Sequence, residues 1–292
     1  MTAGAGSRLP ATPTHSHPPV TGRPRLSVVV PAYGEGRRIF DTVTALRRVL
    51  AEPGDAGLEI IVVDDGSSDD TAGRAAAAGA DHIIRFPENR GKGAAVRAGM
   101  LAATGSAVVF TDADLSYPPA QIVGLRDAIE AGWDVVLGNR HHADTQTTVG
   151  SSAVREITHR GFNWLTHLVL ARQFGDTQCG LKGFHHDSAR RIFARGRIDG
   201  FAFDVEALGI AGRLGLKITE VPVELANAEG STVELRVEIL RMLRDLIRIK
   251  RWSASGAYDV PAPGESQEAR VSPADDPDAT AQGPEGTAAG PD

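Results

Sequence analysis

Two aspartates one residue apart, Asp112 and Asp114, stand at the end of the apolar run Ala107–Thr111. Side chains alternate along an extended chain, so the two carboxylates share a side. A carboxylate pair of this kind suits Mg²⁺ or Mn²⁺, with water and diphosphate oxygens completing the octahedron. Such an ion neutralises the charge that builds on a leaving diphosphate. A second acidic pair, Asp64–Asp65, closes the run Glu59–Val63 and suits hydrogen-bond donors such as a base N–H or a ribose hydroxyl. Ser67, Ser68 and Asp69 beyond it read as caps for the next helix. Cations follow at Arg140, after the run Asp134–Gly138, and at Arg155, which opens a helical stretch to about Arg172. A guanidinium fork matches phosphate geometry better than an ammonium does. After Pro31, Gly34 and Gly36 let backbone come close to a ligand.

Other chemistries lack their residues. No G-x-G-x-x-G follows a strand, Gly91-Lys92-Gly93 lacks the P-loop spacing, and no G-x-S-x-G elbow supports acyl transfer. The single cysteine, Cys179, excludes an internal disulfide and a Cys-based zinc cluster; it reads as a small buried hydrophobe in a reducing cytoplasm. The pairs His141–His142 and His185–His186 read as solvated loop residues, because adjacent histidines rarely converge on one ion.

These groups need a scaffold, and the patterning supplies one. Short β-rich runs at Leu26–Val30, Glu59–Val63, His82–Phe86, Ala107–Thr111 and Asp134–Gly138 alternate with helical patterns at Arg37–Leu50, Thr71–Ala78, Lys92–Ala103 and Pro119–Ala131. Such alternation predicts an α/β fold, a mostly parallel central sheet flanked by helices. Ligands of such sheets bind beyond the carboxyl ends of the strands, where the polar clusters fall. Residues 1–24 and 253–292 read as disordered tails, the second acidic, with 25–232 as the folded domain and 233–252 as an amphipathic helix. Net charge is −6, but residues 1–25 carry three arginines and no acid while 253–292 carry eight acids against Arg270. The remaining core is nearly neutral, which argues against nucleic-acid binding. No run is apolar for the roughly 18 residues a spanning helix needs, and the start lacks a signal-peptide layout.

The segments Val28-Val29-Val30-Pro31-Ala32-Tyr33-Gly34-Glu35, Val62-Val63-Asp64-Asp65-Gly66-Ser67, Asn89-Arg90-Gly91-Lys92-Gly93 and Asp112-Ala113-Asp114, in this order, resemble family 2 glycosyltransferases of the GT-A fold. Asp176–Phe184, Phe201–Glu206 and Glu229-Gly230-Ser231 resemble the polyprenyl-phosphate sugar synthases within it, above all the dolichyl-phosphate β-glucosyltransferase branch. Gly34 stands where the family often has Asn, and Ser116 where mannose synthases often have Gln.

The resemblance implies inverting transfer of a hexose or N-acetylhexosamine from a nucleotide diphosphate sugar, UDP-linked, to polyprenyl phosphate, with Mg²⁺ or Mn²⁺ as cofactor. It places Pro31, Ala32, Tyr33, Glu35, Val63 and Asp65 around the nucleoside, with Asp64, Lys92 and Ala113 nearby. Asp112 and Asp114 hold the metal, Arg140 and Arg155 receive the acceptor phosphate, and Asp204 and Glu206 form an acidic pair opposite the donor. Alternatives are a soluble phosphorylated acceptor, a GDP-mannose donor, or a non-catalytic sugar-nucleotide binder serving a membrane-embedded partner. In Val233–Trp252, Leu235, Ile239, Leu240, Met242, Leu243, Leu246, Ile247 and Ile249 fill half the helix, edged by Arg241, Arg244, Arg248 and Arg251. With a lipid acceptor this helix reads as lying on the inner face of the plasma membrane, the protein being cytoplasmic and peripheral; packing on its own domain is the alternative.

Overall fold

The computed structural model describes residues 13, 16–17, 22–51, 57–140, 177, 179–226 and 235–259. The β-branched run of β1 (Leu26–Ala32) is buried along its whole length, as a central parallel strand with helices on both faces must be. It pairs in parallel with β2 (Leu58–Asp64) on one side and β4 (Ala107–Phe110) on the other. Pro31 fits this central strand because β4 pairs no further than Val29, so no ladder bond is lost on that side. The remaining strands are β3 (His82–Arg85), β5 (Val135–Asn139), β6 (Lys182–His185) and β7 (Ile218–Pro222), in the sheet order β3-β2-β1-β4-β6-β5-β7.

β6 runs against both neighbours, β4 and β5. Its reversal brings its first residue, Lys182, opposite Phe110 and Leu137, to the edge where its neighbours end. Periodicity had not distinguished this strand from the surrounding motif.

Among the described residues, seven helices cover the sheet. α1 (Ile39–Leu50) buries Ile39, Val43, Leu46 and Leu50, a spacing that draws one helical stripe. α2 (Thr71–Ala77) and α4 (Gln121–Glu130) match their sequence patterns to within two residues. α3 (Lys92–Ala102) presents Gly93, Ala94, Ala95 and Gly99 inward, and these small residues let its axis lie close to the sheet. A Cβ on Gly99 would sit 2.3 Å from Val29 Cγ1. Overpacking of this kind costs about 1–3 kcal/mol, and the helix propensity gained over glycine returns at most about 1. Gly99→Ala is therefore expected to lower the urea midpoint, by roughly 1–2 kcal/mol in stability; an unchanged or raised midpoint refutes this close packing.

α5 (His186–Phe193), α6 (Phe203–Arg213) and α7 (Leu235–Ala254) complete the set. The paired histidines are not solvated loop residues here: His185 ends β6, and His186 opens α5 in a buried position. His17, within the segment expected to be a tail, stacks on His185 and donates its backbone N–H to Glu130 O at 2.9 Å. His141 and His142 lie outside the described residues.

The acidic tail also begins later than its composition suggests. α7 continues to Ala254, and the following turn carries Tyr258 into the core. The two readings of this helix divide between its faces. Leu246 and Ile249 join the domain core, while Leu240 and Ile247 are 68% and 61% exposed. Among the described residues no helix is long and apolar enough to cross a membrane.

Candidate active site

β1, β2 and β4 are parallel neighbours, so their carboxyl ends share one edge of the sheet, and the loops there are cross-tied. Three successive amides of the β1–α1 turn are each held by the β2–α2 loop. Gly34 N donates to Ser67 Oγ (2.9 Å), Glu35 N to Thr71 Oγ1 (3.0 Å) and Gly36 N to Asp69 Oδ2 (3.0 Å). The Thr71 hydroxyl donates to Asp69 Oδ1, and this bond first, then those from the Gly36 and Thr71 amides, holds the Asp69 pKa down. Gly34 takes φ +69°, a conformation that favours glycine. Tyr33 beside it is 58% exposed.

The pair Asp64–Asp65 is buried and largely used in scaffolding. Asp64 Oδ1 accepts from Ser67 N (2.9 Å), and Arg85 Nε lies 3.3 Å from its Oδ2. Asp65 accepts from Arg90 N (2.8 Å) and Gly91 N (2.9 Å), one to each oxygen. Burial raises the Asp65 pKa, against the pull of those two amides. Asp65 thus anchors the loop that ends in Lys92. Val63 and Pro31 are core residues whose side chains face away from solvent, and Ala32 is buried beside them.

β4 stops at Phe110, so strand alternation is not what aims the two aspartates. Ala113 is buried instead and accepts a bond from Thr42 Oγ1 (2.6 Å), which leaves Asp112 and Asp114 half-buried on its two sides. Leu115 then takes φ 51°, the only non-glycine with positive φ among the described residues, and Ser116 N turns back onto Asp114 Oδ1 (2.9 Å).

Lys92 Nζ lies 2.6 Å from Asp112 Oδ1. Burial is the largest single influence and lowers its pKa, but Asp112, through charge and hydrogen bond, together with Asp204 and Asp114 raises it on balance. Glu35 has a raised pKa, first through burial and then through the nearby Asp114, Asp69 and Asp112 carboxylates, with Arg38 opposing. Glu35, Asp112 and Asp114 therefore make a local excess of negative charge.

Two hard carboxylates fit a divalent ion that takes its other oxygens from solvent and diphosphate. Gly180 gives Asp112 its room: a Cβ there would stand 2.0 Å from Asp112 Oδ2. Among the described residues no three His, Cys, Asp or Glu side chains converge as a metal cage.

The acidic pair on α6 is split by helix geometry. Positions i and i+2 lie about 200° apart, so Asp204 and Glu206 face different neighbours. Asp204 enters the site. Lys182 Nζ stands 2.8 Å from its Oδ1 as an ion pair, outside hydrogen-bond alignment, and donates to Cys179 O at 2.6 Å. Burial raises the Asp204 pKa, with Lys182 and Lys92 opposing. Glu206, expected opposite the donor, turns away; its carboxylate accepts from Arg197 N, Ile198 N and Tyr258 Oη. Lys182 was not singled out from sequence, although a lysine inside the apolar segment Cys179–Phe184 is itself a signal that a buried acid must meet it.

Arg140 follows β5 directly and is half-buried; Arg155 lies outside the described residues.

A mostly parallel seven-stranded sheet interrupted by one reversed strand is the architecture of the GT-A fold. Structures of Mycobacterium tuberculosis glucosyl-3-phosphoglycerate synthase share it. One solved with Mn²⁺, UDP-glucose and phosphoglyceric acid has TM-score 0.57 at 24% identity, over 83% of this chain and 82% of that one. Another, with Mg²⁺ and UDP, has TM-score 0.56 at 23% identity, over 83% and 82%. Residues 27–193 match the model of glycosyl transferase family 2, and the chain belongs to that family as a glycosyltransferase. Similar curated proteins include dolichyl-phosphate β-glucosyltransferases of Saccharomyces cerevisiae (33% identical, over 80% of this chain and 76% of that one) and Drosophila melanogaster (35%, over 77% and 74%). The Homo sapiens enzyme is 32% identical, over 80% and 77%.

Proposed function

We propose that this chain moves a hexose from a UDP-linked donor to polyprenyl phosphate with inversion at the anomeric carbon. The observation that carries the reading is the meeting of Asp112, Asp114 and Lys92 at the end of β4, in a chain whose similar curated proteins are dolichyl-phosphate β-glucosyltransferases. A divalent cation bound by Asp112 and Asp114 would neutralise charge on the departing diphosphate.

The acceptor is a phosphate monoester with a second pKa near 6, so it is substantially dianionic at pH 7. It is already a nucleophile and needs no strong general base. Positioning and electrostatics therefore suffice. Lys92 stands beside the carboxylates to meet the donor diphosphate. Arg140 and Arg155 would orient the acceptor phosphate. Asp204, paired with Lys182, adds negative charge near Lys92. One in-line displacement turns an α-linked donor into a β-linked glycolipid.

The acceptor's membrane suits α7. Leu240 and Ile247 project beside Arg244, Arg248 and Arg251, all exposed, so an apolar stripe is edged by cations. This face would rest on the anionic inner leaflet, making the protein a peripheral membrane enzyme of the cytoplasmic side.

The reading is tested by a turnover panel. Purified protein, Mg²⁺ or Mn²⁺ and a short polyprenyl phosphate are offered UDP-glucose, UDP-galactose, their N-acetyl forms and GDP-mannose. A charged β-glycolipid from a UDP-sugar is expected. Product from GDP-mannose alone, or transfer only to 3-phosphoglycerate added as a soluble acceptor, overturns it.

A further inference from the structure

Glu206 is buried, acidic and unused by the chemistry above, yet three donors converge on its carboxylate. Arg197 N (3.0 and 2.9 Å to its two oxygens), Ile198 N (2.8 Å) and Tyr258 Oη (2.8 Å) all donate to it. Burial raises its pKa and these donors oppose the rise. Tyr258 comes from the turn after α7, and that turn grips the same segment twice more. Arg195 Nε donates to Tyr258 O (3.2 Å), and an Arg197 guanidinium nitrogen donates to Ala257 O (3.1 Å).

The held segment runs straight to Lys92. Asp199 O accepts from Ala94 N (3.1 Å), and Ile198 O and the Asp199 carboxylate both receive the Arg97 guanidinium. The fit leaves no slack. A Cβ on Gly91 would lie 2.5 Å from Asp199 O, and one on Gly93 would lie 2.7 Å from Ile198 O. α7 touches the loop at a second point: a Cβ on Gly200 would meet buried Asp245 Oδ2 at 3.5 Å. From Tyr258 through Glu206 to residues 197–200, unbroken hydrogen bonds and backbone contact reach the two glycines that flank Lys92.

We infer that Tyr258 and Glu206 are positioning residues for the donor site: they clamp the 197–200 loop against the first turn of α3 and so set Lys92 where it meets the diphosphate. The inference rests on the donor-binding reading for its consequence, and on geometry alone for the clamp. It makes the turn after α7 part of the site's support.

Tyr258→Phe removes one hydroxyl and keeps the ring; Glu206→Gln keeps the shape and removes the charge. In each, amide hydrogen exchange in residues 91–97 should rise while that of β1 and β2 stays unchanged. UDP binding in the presence of Mn²⁺, followed by calorimetry, should weaken by about five- to tenfold. In a Lys92→Ala background Tyr258→Phe should cost little further affinity, because both changes act through one group. Ser253→Ala, which removes only a bond to Arg213 in the same region, should leave UDP affinity as it was.

Unchanged exchange at 91–97, or a rise shared equally by β1 and β2, overturns the clamp. Additive losses in the double variant overturn its action through Lys92. If the unaltered protein binds no UDP, the donor reading fails instead, and the exchange measurement still decides on the clamp.

Discussion

Asp114→Ala is expected to lower turnover by roughly 10³-fold at saturating donor and acceptor, with the urea midpoint nearly unchanged. The magnitude follows from the reading of the site. Stabilising charge on a departing diphosphate contributes several kcal/mol to the barrier, and each 1.36 kcal/mol is tenfold in rate. The structural cost is small, because Asp114 is half-buried and its one hydrogen bond, from Ser116 N, closes a local turn. Chelation of divalent ions from the unaltered protein should produce a loss of the same order, restored by adding Mn²⁺. Chelation should change little in the variant. A variant that keeps a tenth or more of the activity, or that loses activity only because it unfolds, removes Asp114 from the proposed role. Asp112→Ala is a less clean experiment, since it also strips Lys92 of its partner at 2.6 Å.

The sequence exposed the strands and the edge at which the acids cluster, for a local reason. β1 and β2 are runs of Val and Ile that cannot be satisfied except in a buried sheet, and each ends in a polar turn that has to sit outside it. Asp112-Ala113-Asp114 was legible in the same way, although burial of Ala113, and not strand alternation, places the two acids. What stayed hidden depends on partners distant in sequence. β6 is four residues long and includes Gly183 and a buried lysine, so its period-2 signal is absent; pairing with β4 and β5 makes it a strand. Asp204 and Glu206 look equivalent in the chain and part only because a helix turns about 100° per residue. Asp65 reads as a ligand for ribose or base donors, and the chain does not show that it also accepts the loop amides of Arg90 and Gly91, one on each oxygen. Tyr258 was lost for another reason: it sits at the head of a segment whose composition is that of a disordered tail, and its partners Glu206, Arg195 and Trp252 are distant in the chain or invisible to composition.

The buried pair beneath the site leads to the second large effect. Lys182 and Asp204 are both nearly inaccessible, so each charge depends on the other for compensation. Breaking a buried pair by removing one partner typically costs 3–5 kcal/mol, because the remaining charge stays in low dielectric. Lys182→Met keeps the length and apolar bulk of the side chain and removes the ammonium; a loss of about 3 kcal/mol in urea-unfolding free energy at pH 8 is expected. The loss should also depend on pH, and its sign is set by Asp204. Burial already holds the Asp204 pKa above its ordinary value, with Lys182 opposing; without Lys182 it rises further. In the variant the folded state thus binds a proton that the unfolded chain releases, and stability falls as pH rises from the unfolded towards the folded pKa. The deficit of Lys182→Met relative to the unaltered protein should accordingly shrink on going from pH 8 to pH 5. Adding Asp204→Asn should recover much of the stability at pH 8, since an amide carries no charge to strand. A deficit that is the same at both pH values, or a double variant no more stable than Lys182→Met alone, contradicts the ion pair as the source of the effect and points to packing of the lysine stem against Phe110, whose ring lies 5.5 Å from Nζ.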